Sequence, residues 1–285
     1  MEKKSLIGAH VSVSGGFESA IEAGERIGAN CIQIFTKNNR QWQAQAIEKT
    51  TAELFKNRLK QSQIKVVVAH ASYLINLGSS SHEVVEKSKL ALTEELKRCD
   101  YLDILFLVLH PGTQGELSEE VALQSIAESI NKALEATIHC SVLIETMAGQ
   151  GKTVGYRFEQ IATIIKNIEQ KNRIGVCLDT CHIFAAGYSF QNEKEYEKLW
   201  QDFDLTIGQN YLKLIHLNDS KREHGSRVDR HEHIGQGKIG LKSFELIMLD
   251  KKLEDVPKIL ETPADNGETG DIKNIALLKD LAGNL

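Results

Sequence analysis

Apolar residues fall in short continuous runs separated by longer stretches with helical spacing. Leu6–Ala9, Cys31–Thr36, Val66–His70, Ile104–His110, Ser141–Glu145, Ile174–Asp179, Leu212–Leu217 and Val256–Glu261 are such runs. Many are rich in β-branched side chains, the signature of buried strands. Helical patterns recur between them; Ile126, Ile130, Ala133 and Leu134, for example, share one helical face. Thr50-Thr51-Ala52-Glu53 and Ser80-Ser81-His82-Glu83 fit the capping box, in which side chains satisfy the first orphan backbone donors of a helix. Ser118, followed by Glu119 and Glu120, predicts a further helix start, with acidic residues suited to the positive end of the helix dipole.

Strand and helix alternating eight times over 285 residues predict the α/β class and, within it, a (β/α)8 TIM barrel. The competing arrangement is a doubly wound open sheet. No Gly-x-Gly-x-x-Gly follows the first strand, so a dinucleotide-binding domain has no support. The chain has only three prolines, Pro111, Pro257 and Pro263, and no low-complexity stretch, so residues 1–285 read as one domain.

Composition changes this picture little. With 41% apolar and 26% charged residues this is an ordinary globular chain, and no run nears the ~20 apolar residues that span a bilayer. Met1 to His10 carry basic side chains but no sustained apolar core, so they predict no secretory leader. The five cysteines, Cys31, Cys99, Cys140, Cys177 and Cys181, are odd in number and mostly lie in apolar patterns. They predict reduced thiols in a cytoplasmic protein rather than a disulfide framework. A net charge of −5 argues only weakly against nucleic acid as a partner, because bound divalent cations invert the sign of an acidic pocket.

The chemistry lies at the strand ends. From the third strand onward the last residues are His70, His110, Glu145, Asp179 and Glu261, with His216 one residue before its strand's end. In a barrel these ends converge on one mouth, where active sites are built. Alone, each residue is more often a satisfied structural polar group. Six converging unpaired would be a prohibitive burial of charge, which metal ions resolve, since imidazole and carboxylate are standard zinc ligands.

His182 lies three residues past Asp179, and Asp229 and His231 sit in the polar stretch Asn218–His233. In an extended segment Asp229 and His231 point the same way, so with His182 they could form a separate tridentate site. The competing reading of that stretch is a solvated charged loop, and spacing does not separate the two. Nine ligands exceed what one zinc needs and suit two or three ions, an arrangement fitted to hydrolysing a phosphate ester. His10 is expected to orient a ligand or substrate. His82, His139, His224 and His233 are expected to be surface or structural residues, Cys177 to lie inside the barrel, and Cys181 to be a packed thiol.

At this point the residues resemble the endonuclease IV family of apurinic/apyrimidinic endonucleases. The matching segments include Gly8-Ala9-His10-Val11-Ser12, Phe35-Thr36-Lys37-Asn38-Asn39-Arg40-Gln41-Trp42 and His70-Ala71-Ser72-Tyr73-Leu74-Ile75-Asn76-Leu77. They continue through Leu109-His110-Pro111-Gly112, Glu145-Thr146-Met147-Ala148-Gly149-Gln150-Gly151 and Cys177-Leu178-Asp179-Thr180-Cys181-His182. His216-Leu217-Asn218-Asp219-Ser220-Lys221, Gly225 to His231 and Glu261-Thr262-Pro263 complete them.

The resemblance implies a phosphodiester hydrolase of the deoxyribonuclease IV type that cuts duplex DNA 5′ to an abasic site, leaving a 3′-hydroxyl and a 5′-deoxyribose phosphate. It implies three zinc ions per chain, with manganese as an alternative at some sites, and a monomer. His70, His110 and Glu145 would hold the first zinc, with Glu145 bridging to a second held by Asp179, His216 and Glu261. His182, Asp229 and His231 would hold the third, and Glu145, Asp179 and Glu261 would be the catalytic carboxylates. Arg40, Tyr73 and Leu74 resemble residues that penetrate the duplex at the lesion, where extrusion breaks no base pair. The alternative is a metal-dependent sugar isomerase or epimerase on a similar barrel, which has little use for the His182, Asp229 and His231 group. A damaged-DNA binding module would leave the converging ligands unexplained.

Overall fold

Eight parallel strands close into a barrel. In chain order they are β1 (Ile7–His10), β2 (Cys31–Phe35), β3 (Val66–His70), β4 (Phe106–Leu109), β5 (Ser141–Glu145), β6 (Ile174–Asp179), β7 (Leu212–His216) and, after an excursion, β10 (Lys258–Leu260). Each pairs with its sequence neighbour, and β10 closes the ring between β7 and β1. This computed structural model describes residues 5–264 and 267–283, so Met1 to Lys4 lie outside the described residues. The (β/α)8 barrel expected from the alternating pattern is what forms, not the open sheet.

Strand alternation divides the core in two. Cys31, Val68, Val108, Leu143, Cys177, Leu214 and Ile259, one from each strand except β1, form an apolar cluster inside the barrel. Residues of opposite parity, such as Ile32, Ala69, Leu107, Val142 and Leu260, belong to the larger cluster shared with the surrounding helices. Strand β1 contributes Gly8 at the interior parity. A Cβ there would lie 1.6 Å from the Cys31 carbonyl oxygen, so only glycine lets β1 approach β2 this closely. All five cysteines are buried and free, with Cys177 inside the barrel as its parity predicts. Among the described residues no helix is long and apolar enough to cross a membrane.

The helices are α1 (Phe17–Arg26), α2 (Lys49–Lys60), α3 (His82–Leu102), α4 (Glu119–Glu135), α5 (Phe158–Lys166), α6 (Thr180–Ala186), α7 (Glu193–Thr206), α8 (Leu241–Leu249) and α9 (Thr269–Leu281). Ser118 caps α4 as expected, accepting from Val121 N at 3.4 Å. The other two starts shift. Helix α3 is capped by Ser81 rather than Ser80, through Val84 N. Helix α2 begins at Lys49 with Glu48 as N-cap and no side-chain cap, which leaves Thr50 inside the first turn. Glu53 therefore faces Lys49 along the helix at 3.7 Å instead of closing a capping box. Helix α6, immediately after β6, is the element the eight-fold expectation did not include. Between β7 and α8 the chain makes an antiparallel ribbon of β8 (Asp219–Ser220) and β9 (His231–Glu232).

Candidate metal centre

At the C-terminal mouth, each strand places a polar residue two positions beyond its interior apolar one, or beyond Gly8 in β1. The pairs are Gly8 and His10, Cys31 and Gln33, Val68 and His70, and Val108 and His110. Leu143 and Glu145, Cys177 and Asp179, Leu214 and His216, and Ile259 and Glu261 complete the ring. Strand parity thus delivers all six expected strand-end ligands to one face, together with His10 and Gln33.

Glu145, fully buried, stands at the centre. Its Oε2 lies 3.0 Å from His110 Nε2 and 3.3 Å from His70 Nε2. Its Oε1 lies 3.2 Å from His216 Nδ1. The two oxygens of one carboxylate therefore face two different histidine groups, as a bridging ligand must. His216 Nδ1 is also 3.2 Å from Glu261 Oε2 and 3.9 Å from Asp179 Oδ2.

A third group adjoins the second. His182 Nε2 is 3.1 Å from Asp229 Oδ2, and His231 Nε2 is 3.3 Å from Asp229 Oδ1 and 3.6 Å from Asp179 Oδ2. Asp179 ties this group to the strand end, because its Oδ1 accepts from His182 N at 2.8 Å and caps α6. The loop of Asp229 and His231 is held by Asp219, whose carboxylate accepts from Ser220, Gly235, Gly237 and Ile239 backbone N–H groups at 2.7–3.0 Å. Residues 221–225, Arg227 and Arg230 of the polar stretch after β7 are exposed, but Asp229 and His231 are half-buried, and all nine expected ligands meet at one mouth in three groups.

The histidines are oriented from behind. His70 Nδ1 contacts Ala71 O at 2.7 Å, His182 Nδ1 contacts Thr146 O at 2.8 Å, and His231 Nδ1 contacts Glu261 O at 2.9 Å. A backbone carbonyl can only accept, so each Nδ1 carries a proton and each Nε2 is turned toward the carboxylates. His216 is reversed, with Nε2 on Gln33 Oε1 at 2.8 Å and Nδ1 facing inward. Asn218 Nδ2 donates to Asp179 Oδ2 at 2.7 Å, fixing that carboxylate.

Burial pushes the Glu145 carboxyl up, but the imidazoles of His110 and His216 outweigh it and hold the group well below the usual carboxylate range. Asp229 is likewise pushed up by burial, yet His182 and His231 bring it down to about 2. For His182 and His216 burial favours the neutral ring, and the surrounding acidic groups more than reverse that. A cation at the centre would compete with protons for these ring nitrogens. A metal fits on another ground. His182 Nε2 and His231 Nε2 are buried and make no well-aligned hydrogen bond, although Asp229 oxygens lie 3.1 and 3.3 Å away, as donors turned on a shared point would be. A mixed set of imidazole and carboxylate donors suits zinc. Cys181 lies within reach of Asp179 and His231, but burial, with the nearby Asp179, pushes its thiol up to about 12, as for a packed protonated thiol.

Arg40, Tyr73 and Leu74 lie on loops at the rim. Tyr73 is 55% exposed, although its ring sits 5.2 Å from His70 and 5.5 Å from His110, so it is not simply packed onto the barrel. Arg40 is exposed and Leu74 half-buried. Both loops rest on α3. Glu95 accepts from Ser72 N at 3.2 Å and pairs with Lys37 at 3.2 Å, and Ser72 Oγ donates to Asn39 O at 2.7 Å. Arg98 donates to the Thr36 and Gln45 carbonyls.

Among the other histidines, His10 Nδ1 lies 3.0 Å from Gln33 Nε2 and 3.6 Å from Glu261 Oε1. His82, His139 and His224 are exposed, and buried His233 meets Asn274. Gln33, Glu95 and Lys37 are the residues missed as contributors to the site. Gln33 has the parity of Cys31, which was the available signal; nothing local in sequence marks the other two.

A family model described as xylose isomerase-like TIM barrel matches residues 21–281. A D-tagatose 3-epimerase-like protein of known structure superposes with a TM-score of 0.74 over 97% of both chains at 18% identity, which speaks for the barrel alone. Endonuclease IV from Thermus thermophilus superposes with a TM-score of 0.87, at 33% identity, over 98% of this chain and 99% of its own. The probable endonuclease 4 of Campylobacter hominis is 50% identical over 259 residues, 90% of this chain and 92% of that one. Identity at that level, sustained from end to end, is kinship beyond a shared barrel: the chain belongs to the endonuclease IV family.

Proposed function

We propose that this protein is a DNA-repair endonuclease that hydrolyses the phosphodiester 5′ to abasic sites in duplex DNA, with three zinc ions per chain. The observation carrying this reading is the convergence of three donor groups around Glu145, Asp179 and His231 in a member of this family. His70, His110 and Glu145 would hold one zinc, Glu145, Asp179, His216 and Glu261 the second, and His182, Asp229 and His231 the third. When bound, zinc supplies Lewis acidity, neutralising charge on a phosphoryl group and easing deprotonation of water.

The protein's own residues orient and exclude. Glu145, Asp179 and Glu261 fix the reacting face, each anchored on a strand end. Tyr73 and Leu74, with Arg40 across the rim, occupy the gap left by the missing base while the abasic nucleotide enters the mouth. The epimerase alternative shares the barrel but gives no task to the His182, Asp229 and His231 group or to the exposed rim.

Metal analysis of the purified protein and cleavage of an abasic duplex, with and without chelator, test this reading. Three zincs per chain and chelator-sensitive incision are expected. Two zincs would overturn the third site, and fewer than two, or intact substrate with fully loaded enzyme, would sink the reading as a whole.

A further inference from the structure

Strand β2 places Gln33, a neutral amide, into the ring of ionisable groups at the barrel mouth. It is fully buried, and its polar atoms are committed to three of the surrounding side chains. Its Nε2 lies 2.6 Å from Glu261 Oε1 and 3.0 Å from His10 Nδ1, and its Oε1 lies 2.8 Å from His216 Nε2.

The chemistry of these partners allows one orientation. An ionised carboxylate only accepts, so the amide nitrogen must face Glu261. That turns the amide oxygen to His216, and an oxygen only accepts, so His216 Nε2 must carry a proton. The second amide hydrogen goes to His10 Nδ1, which must then present a lone pair, leaving the His10 proton on Nε2. His216 Nδ1 is consequently the nitrogen left for the carboxylate side, where Glu145 and Glu261 each lie 3.2 Å away.

We propose that Gln33 is a positioning residue for the second metal group: one amide fixes the His216 tautomer and the Glu261 carboxylate together, and sets the proton on His10. This rests on the zinc reading above. The other expected histidine ligands whose outer contacts are seen, His70, His182 and His231, lean on backbone carbonyls, which substitution leaves in place. His216 depends on a side chain, and that side chain also holds its fellow ligand. Partners in this relation to a metal ligand are worth roughly 10–100-fold in affinity when removed.

The test is Gln33→Met, which keeps the volume of the side chain and removes all three contacts, alongside Gln33→Glu, which keeps an acceptor for His216 and removes both donors. Zinc affinity is read by competition with a chelator of known affinity, and zinc count by elemental analysis. Ring 1H–15N correlations of the zinc-loaded proteins report the His216 proton. Wild-type protein is expected to show a slowly exchanging Nε2–H on His216. Gln33→Met should lose that protection and bind one zinc roughly 10–100-fold more weakly, the other ions staying put. Gln33→Glu should keep the His216 signal and still lose affinity, through repulsion of Glu261. Circular dichroism and the melting midpoint of the zinc-free proteins check that both variants fold. A wild-type protein without zinc would overturn the preceding reading. Wild-type protein that holds its zincs, with Gln33→Met holding them as tightly or His216 lacking the Nε2 proton, would overturn this inference alone.

Discussion

The ion pair beneath the rim loops offers a quantitative test of why they stand where they do. Lys37 and Glu95 have side chains 2% and 1% exposed and lie 3.2 Å apart. Burial pushes the Glu95 carboxyl above its ordinary value even though Lys37 and Ser72 N oppose the shift. Desolvation thus outweighs attraction, so the pair adds little net stability as a unit, yet breaking it leaves a charge stranded. Glu95→Gln would leave the Lys37 ammonium with the Gln41 carbonyl, at 2.6 Å, as its remaining close acceptor. Loss of one partner of a buried pair costs about 3–5 kcal/mol, and the amide keeps the shape, so about 3 kcal/mol is expected for Glu95→Gln and again for Lys37→Met. The double variant strands no charge and should fall at least about 2 kcal/mol short of the sum of the singles. Urea unfolding of the zinc-free proteins measures all four corners of this cycle. On an abasic duplex the singles should bind more weakly with unchanged zinc content, because both rim loops lose their common support on α3. Single variants within about 0.5 kcal/mol of wild type, adding without coupling, would refute the reasoning.

Other expectations concern the metal centre, the rim and a buried lysine. His110→Ala and His182→Ala should each lose one zinc, and Asp179→Ala should lose a different zinc from His182→Ala, as elemental analysis with competition binding would show. Tyr73→Ala removes a side chain that is 55% exposed, so it should change the melting temperature little and abasic-duplex affinity substantially, read by fluorescence anisotropy. Lys258, buried on β10 with Nζ donating to the Leu253 and Val256 carbonyls at 2.6 and 2.9 Å, has its ammonium pushed down to about 8 by burial. Its folded-state value lies below the unfolded one near 10.4, so the folded state sheds the proton first and stability rises with pH between those values. Wild-type stability should therefore gain about 3 kcal/mol on Lys258→Met between pH 8 and 10.5, and a flat difference across that range would contradict it.

The barrel was legible because period-two burial and strand-end polarity coincide. Leu143 and Glu145, or Cys177 and Asp179, are two residues apart, so one register sends the first inward and the second to the mouth. The unread parts have identifiable causes. Helix α6 spans only Thr180–Ala186, too short for a helical period to show. The segment carrying Asp229 and His231 is almost wholly polar, and its anchors are distant in sequence: Gly225 N and Arg227 N donate to the Phe184 and Ala185 carbonyls, Asp229 N to Gln150 Oε1, and Asp219 gathers backbone donors from up to twenty residues away. Its Gly237 has to be glycine, since a Cβ would lie 2.4 Å from the Ser220 carbonyl oxygen. Gln33 escaped because an amide has no titratable signature, and the Lys37–Glu95 pair because its partners lie on different elements.

Charge accounting explains why so many ligands converge on one mouth. The nine residues include four carboxylates, Glu145, Asp179, Asp229 and Glu261, and five histidines. With neutral imidazoles, three dications over four carboxylates would leave the centre with two positive charges. A phosphodiester brings one negative charge and the attacking hydroxide a second, so the reacting pair carries two from ground state to transition state. The centre under the three-zinc reading would thus be matched to the combined charge of substrate and nucleophile, which it would hold together against their mutual repulsion. Without the His182, Asp229 and His231 group and its ion, two dications over three carboxylates would leave one positive charge instead of two. Under the three-zinc reading that group would therefore do more than add a ligand site: its ion, less the charge of Asp229, would supply the second positive charge facing the phosphate.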